Sequence, residues 1–127
     1  MITQKVLIVD DEKDLRDALR TALEADGFTV LEAHDGDTGI ELALSQKPDL
    51  VLLDIHMPGK SGHEVLATIR KDAWGKDAQV LLLTNADDAT NIVHGVAQKT
   101  DDYVIKSQVS LKEILKKVKQ HLAGYHD

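Results

Sequence analysis

Residues 5–14 read KVLIVDDEKD, a stretch in which four apolar residues run directly into two adjacent carboxylates. Val6–Val9 has the length and the β-branched character of a buried strand. Asp10 and Asp11 stand at its carboxyl end, where like charges repel each other and are only partly solvated. Such a strand end needs a partner that offsets the repulsion, and the ends of the other strands indicate what that partner is.

Four further short apolar segments follow, each separated from the next by a helical pattern. We predict the five strands at Val6–Val9, Thr29–Ala33, Leu50–Leu53, Val80–Leu83 and Tyr103–Ile105. The third and fourth, in DLVLLD and QVLLLT, are apolar at every position rather than at alternate positions. That pattern is typical of strands covered on both faces, as in a parallel sheet.

The segments between the strands carry apolar residues at the spacing of amphipathic helices. The first such stripe comprises Leu15, Ala18, Leu19, Ala22 and Leu23, with Gly27 placed to end the helix. Shorter stripes lie at 40–44, 65–69 and 92–96, and a last one at 111–122, while Ser61–Glu64 and Ser110–Glu113 have the form of capping boxes. Five βα units in series predict an α/β fold with a doubly wound parallel sheet, in one domain that spans residues 1–127.

Composition argues against several classes of protein. Lys and Arg total 15 against 22 Asp and Glu, so the net charge of −7 disfavours a basic surface that binds nucleic acid. The chain has no cysteine, which excludes disulfides and thiolate chemistry and makes a reducing cytoplasm the expected location. No apolar run approaches the roughly 20 residues that span a bilayer, so we expect no membrane insertion.

In a doubly wound sheet the functional crevice lies beyond the carboxyl ends of the strands. The residues predicted at those ends are Asp10, Asp11, Asp54, Thr84 and Lys106. Three converging carboxylates favour a hard cation such as Mg²⁺, which prefers oxygen ligands. Together with a hydroxyl and an ammonium group they provide the parts for phosphoryl transfer, with a carboxylate as the nucleophile.

Four motifs, VLIVDDE, LVLLDIHMPGKSG, VLLLTN and DDYVIK, occur in this order along the chain. They resemble the receiver domains of bacterial two-component response regulators, and the resemblance runs from Val6 to about Leu122. It implies a flavodoxin-like (βα)5 sheet with the strand order 2-1-3-4-5. Within the family, the chain is similar to the stand-alone, chemotaxis-like single-domain type.

The resemblance also implies a role for individual residues of the predicted site. Asp54 would be the phosphoacceptor, and Lys106 would pair with the phosphoryl group. The implied Mg²⁺ ligands are the carboxylates of Asp10, Asp11 and Asp54 and the backbone carbonyl of His56. Thr84 and Tyr103 would form the switch, in which the hydroxyl moves toward the phosphate and the aromatic ring turns inward.

The function implied by the resemblance is a phosphorylation-activated signalling switch, not an enzyme that turns over a separate substrate. Its partners would be a histidine kinase or phosphotransfer protein and a downstream effector. The effector would read the face formed by the fourth helix, the fifth strand and the fifth helix, at residues 87–99, 103–106 and 110–122. The chain would be a monomer or a phosphorylation-dependent dimer that does not bind nucleic acid directly.

Two positions depart from the receiver pattern. Lys106 is followed by Ser107, whereas receivers typically have a proline in a cis peptide there. Because a cis bond without proline costs roughly 2.5–4 kcal/mol, we predict a trans peptide between Lys106 and Ser107. Thr84 is followed by Asn85 instead of a small residue, and the bulkier amide could hinder an attacking water or a phosphodonor.

Several alternatives stay open at the level of sequence. The chain could be the receiver part of a longer DNA-binding regulator, a phosphohydrolase of the haloacid-dehalogenase kind, or a flavodoxin-like flavin carrier. The second would need an aspartate at His56, and the third a phosphate-binding loop where DDEKD stands. Asp10 and Asp11 could simply cap the first helix, and Tyr103 could be an edge residue with its hydroxyl in water.

Overall fold

The computed structural model describes residues 4–84, 102–106 and 109–122, and it contains a five-stranded parallel sheet. The strands are β1 (Lys5–Val9), β2 (Thr29–Ala33), β3 (Leu50–Asp54), β4 (Val80–Thr84) and β5 (Asp102–Ile105). Their order in the sheet is β2-β1-β3-β4-β5, which confirms the predicted order 2-1-3-4-5 and the doubly wound fold.

Helices connect these strands in the alternation that the sequence predicts. They are α1 (Lys13–Ala25), α2 (Gly36–Gln46), α3 (Gly62–Lys71) and α4 (Leu111–His121), with a short 3-10 helix at Gly75–Asp77. The helix predicted around residues 92–96 lies outside the described residues, so the label α4 belongs to the helix that follows β5. The peptide between Lys106 and Ser107 and the side chain of Asn85 also lie outside them.

The helix termini follow the predicted capping chemistry. Ser110 and Glu113 form a reciprocal capping box at α4, and the Ser61 hydroxyl accepts a hydrogen bond from the backbone N–H of Glu64 at the start of α3. Gly27 has a φ of +93° directly after α1, a conformation that favours glycine and ends the helix there. Local sequence thus accounts for the starts of α3 and α4 and for the end of α1.

Helices cover both faces of the sheet and divide the apolar core into two layers. One layer joins sheet residues such as Leu7 and Leu53 to α2 and α3. The other joins Ile8 and Leu52, which point to the opposite face, to α1 and α4. All four side chains are fully buried, and each contributes about 1.5–3 kcal/mol of transfer free energy to folding.

The register of the parallel strands brings their carboxyl ends to one edge of the sheet. Val9 pairs with Leu53, Asp54 with Leu83, and Thr84 with Ile105. The polar residues that follow these strands are thereby placed side by side. None of the helices in the described part of the chain has the length and apolar content needed to cross a bilayer.

Candidate functional site

Asp54 is the last residue of β3, at the centre of the carboxyl edge of the sheet. The residue is only 3% exposed, and its Oδ1 accepts a hydrogen bond of 3.2 Å from the backbone N–H of His56. Gly62 packs against the same backbone so closely that a Cβ atom there would lie 2.4 Å from the Asp54 carbonyl oxygen. The start of α3 therefore fixes the peptide that carries this carboxylate.

Asp10 follows β1, the neighbouring strand, and is completely buried. Its Oδ1 accepts a hydrogen bond of 2.8 Å from the backbone N–H of Glu12, a local turn in which an aspartate binds its own backbone two residues on. The Asp10 carbonyl accepts a 2.7 Å hydrogen bond from Arg16 Nη1. Asp10 does not cap α1, because its side chain bonds the N–H of Glu12, the residue before the helix, and its second oxygen lies beside Lys106.

The carboxylates of Asp10, Asp11 and Asp54 form one cluster, with one oxygen of each lying within 4.8 Å of the others. Asp11 is exposed, whereas the other two are buried. Asp10 Oδ2 is fully buried, and the ammonium group of Lys106 lies beside it. The three carboxylates supply hard oxygen donors, which match the ligand preference of Mg²⁺.

Lys106, directly after β5, is the cation that the described residues bring to this cluster. Its Nζ lies 2.8 Å from Asp10 Oδ2, 3.0 Å from Glu12 Oε1 and 3.4 Å from Asp54 Oδ2. The lysine side chain is 15% exposed, so these contacts are formed largely away from bulk water. A cleft of about 160 Å³ opens above the group, lined by Asp11, Glu12, Asp54, His56 and Lys106.

Burial and charge shift the proton affinities of the central pair. Burial, followed by the negative charge of Asp10, raises the pKa of Asp54 to about 7, against the opposing effects of Lys106 and the His56 N–H. Burial alone would lower the pKa of Lys106, but the neighbouring carboxylates, Asp10 first among them, raise it above its ordinary value. Lys106 therefore stays a cation, and Asp54 is an acid of unusually high pKa.

The structure places the other predicted site residues as follows. Thr84 is the last residue of β4 and is fully buried, next to the strand that carries Asp54. His56 is exposed and is one of the residues that line the cleft. Tyr103 lies on β5 with its side chain 40% exposed. The roles of these residues as switch and metal ligand stay predictions.

Two contacts at the site were not predicted from the sequence. Glu12 contacts Lys106 from 94 positions away in the chain, and Arg16 binds the carbonyl of Asp10. Glu12 directly follows two carboxylates at the predicted site, and this position could have indicated that it contacts Lys106. The second had no local signal, because Arg16 lies one turn into an ordinary amphipathic helix.

Residues 6–119 match the profile of the family described as the response regulator receiver domain, and the chain belongs to that family. Receiver domains bind Mg²⁺ at an acidic pocket and act as phosphorylation-dependent signalling switches rather than as enzymes that turn over a separate substrate. The phosphohydrolase and flavin-carrier alternatives are therefore set aside.

Solved structures of similar chains agree with this assignment. The chemotaxis protein CheY4 of Vibrio cholerae is 26% identical, with a TM-score of 0.87 over 95% of this chain and 100% of that one. A putative response regulator of Chloroflexus aurantiacus is 26% identical, with a TM-score of 0.86 over 96% and 99% of the two chains. The response regulator TrrA of Thermotoga maritima, in complex with Mg²⁺ and BeF, is 36% identical, with a TM-score of 0.81 over 94% and 100%.

Proposed function

We propose that this receiver domain accepts a phosphoryl group on Asp54 from the phosphohistidine of a histidine kinase or phosphotransfer protein, and that its altered surface then regulates a partner. One observation carries the proposal: Asp54 is buried at the strand end in a cluster with Asp10 and Asp11, and Lys106 Nζ lies 3.4 Å from its Oδ2. A buried carboxylate with a cation beside one oxygen suits a nucleophile for phosphoryl transfer.

Asp54, His56 and Lys106 each have a specific role in this transfer. The backbone N–H of His56 holds Asp54 Oδ1, which leaves Oδ2 on the side of Lys106 as the attacking oxygen. The Oδ2 lone pair forms the new O–P bond while the P–N bond of the phosphohistidine breaks, and its electron pair returns to the imidazole nitrogen. The Lys106 ammonium group stabilises negative charge on a phosphoryl oxygen during this step.

The cation that fits the donor set is Mg²⁺, which the carboxylates of Asp10, Asp11 and Asp54 and the His56 backbone carbonyl would hold. When bound, it would supply positive charge that offsets the charge of the phosphoryl oxygens and of the surrounding carboxylates. Hydrogen bonds from backbone N–H groups orient Oδ1 of Asp10 and Oδ1 of Asp54, while both Oδ2 atoms face Lys106.

The proposal extends to the output of the domain. Thr84, buried at the end of β4, would turn its hydroxyl toward the phosphoryl oxygens, and Tyr103 would move from its exposed position on β5. The partner-binding face would include β5 and α4, together with residues 87–99 outside the described structure. We place this switch in the cytoplasm, as a monomer or a phosphorylation-dependent dimer that acts on another protein.

Labelling by a small phosphodonor tests the proposal. With acetyl phosphate and Mg²⁺, the intact mass should increase by one phosphoryl group, and Asp54→Asn should abolish the increase because the nucleophile is gone. Asp49→Asn makes the same substitution just before β3, at its opposite end, and should leave labelling unchanged. Undiminished labelling of Asp54→Asn, or full labelling of the natural chain in EDTA, would contradict the proposal.

A further inference from the structure

Glu12 is an exposed carboxylate that contacts the ammonium group of Lys106. It is the residue before α1, the position where a side chain commonly caps the helix, yet its side chain makes no such hydrogen bond. Instead Oε1 reaches across the cleft to Lys106 Nζ at 3.0 Å, although the Glu12 side chain is 61% exposed. The geometry therefore assigns this side chain to the site and not to the helix end.

The contact changes the charge that an incoming group would meet. Asp10 Oδ2, Glu12 Oε1 and Asp54 Oδ2 lie around the Lys106 ammonium, which has three N–H donors to share among them. Of the three, Glu12 stands at the mouth of the cleft, and the other two are buried. An anionic donor must compete with Glu12 for Lys106 and approach against its negative charge.

The negative charge of Glu12 has the opposite effect on a cation that enters the cleft. The Glu12 carboxylate adds to the negative charge of the aspartate cluster. It also partly neutralises the positive charge of Lys106, which would otherwise repel a cation. Removing its charge should therefore weaken cation binding while it eases the approach of an anion. The two effects have opposite signs, which distinguishes them from general damage to the fold.

We propose that Glu12 is a positioning residue that holds Lys106 at the mouth of the cleft and thereby strengthens Mg²⁺ binding while it slows phosphorylation by small anionic donors. This inference rests on the proposed function of Asp54. Glu12 then influences which phosphodonors the domain accepts. A protein donor can offset the Glu12 charge with its own surface, whereas a free acyl phosphate cannot.

The test compares Glu12→Gln with Asp14→Asn, which removes one negative charge from the first turn of the same helix at an exposed position without contact to Lys106. Calorimetric titration with Mg²⁺ should show about two- to fivefold weaker binding for Glu12→Gln, the range expected for a partly exposed charge pair. At saturating Mg²⁺, labelling of Asp54 by acetyl phosphate should be about two- to fivefold faster. Both differences should shrink as salt is raised, and Asp14→Asn should show neither.

The outcomes separate this inference from the function on which it rests. If the natural chain is not labelled at Asp54, the proposed function fails and the inference falls with it. If the natural chain is labelled but Glu12→Gln behaves like Asp14→Asn, the inference alone is overturned. A loss of both Mg²⁺ affinity and labelling rate, at an unchanged unfolding midpoint, would also overturn it, because the inference requires opposite signs.

Discussion

At the scale of single residues, Asp54 is a group whose ionisation opposes folding. Its pKa rises from 3.8 to about 7 in the folded chain, chiefly through burial and the charge of Asp10. The folded state then binds its proton more tightly than the unfolded state, so the free energy of unfolding falls as the pH rises from about 4 to about 7. Burial of Asp54 in its ionised form therefore lowers the stability of the metal-free protein at neutral and higher pH.

We predict that Asp54→Asn stabilises the metal-free protein at high pH. In EDTA at pH 8, its free energy of unfolding should exceed that of the natural chain by up to about 4 kcal/mol, because the substitution removes an ionised buried acid. Near pH 4.5 the difference should largely vanish, since Asp54 is then protonated in the folded state. Urea unfolding at several pH values measures this, and parallel stability curves for the two proteins would contradict it.

Sequence reasoning identified the carboxylates and the lysine because each directly follows a strand, and strand ends can be located from hydropathy alone. It did not identify the contacts of Glu12 or Arg16, which depend on where a long side chain reaches after folding. Tyr103 shows the same limit: its position on β5 was predicted, but the orientation of its ring depends on packing against neighbours that the sequence pattern does not specify.

At the scale of elements, α1 is tied to the site by Arg16, one turn from its start. Arg16 Nη1 donates to the carbonyl of Asp10 at 2.7 Å, and Nε lies 3.5 Å from Glu32 Oε1 on β2. The side chain is 14% exposed, so this hydrogen bond and this ion pair are formed largely away from water. The helix, the edge strand and the end of β1 are thereby held together at the carboxyl edge of the sheet.

Arg16→Met should lower the free energy of unfolding by about 1–3 kcal/mol, because it leaves the carbonyl of Asp10 without its donor. Arg20→Met provides a matched control: it removes the same kind of side chain one turn later, where Arg20 is 49% exposed and pairs with Glu24 and Glu32. That change should cost about 0–1 kcal/mol. Equal losses for the two variants in urea unfolding would refute the special role of Arg16.

The strands and helices themselves were largely predictable. The predicted strands match the observed ones to within one residue at each end, because continuous apolar runs bounded by polar residues leave little choice. Asp54 and Thr84 are included in β3 and β4, although they were predicted to follow them. Hydropathy stops a strand at the first polar residue, whereas the backbone pairing continues for one residue further.

At the scale of the whole molecule, phosphorylation should alter a surface beyond the site. A phosphoryl group adds negative charge and three acceptor oxygens beside Asp54, so Thr84 and Lys106 should move toward it. Beryllofluoride, a phosphoryl mimic, should therefore shift amide resonances in residues 102–106 and 110–122. Asp54→Asn should show no such shifts. If the shifts in the natural chain are confined to the loops around Asp10, Asp54 and Thr84, the prediction that the change reaches β5 and α4 is wrong.

Such a surface transmits a signal only through the difference in a partner's affinity for the two states of the domain. A partner responds to the switch only if it binds the two states with different free energies, and couplings of about 1–3 kcal/mol, or roughly 5- to 150-fold, are typical. The identity of that partner could not be predicted, because specificity depends on exposed side chains whose pattern has no fixed relation to the fold.

The contact between Lys106 and Glu12 has a consequence for when, during folding, the site is completed. It joins residues 94 positions apart, so it forms only after the chain between them has collapsed and its strands have paired in the correct order. Closing so long a loop carries an entropic cost that only the completed sheet repays. A nascent or misassembled chain has Asp54 but no lysine beside it. We therefore expect only molecules with a complete sheet to accept a phosphoryl group efficiently, so that an unfinished chain stays silent in the presence of the donor.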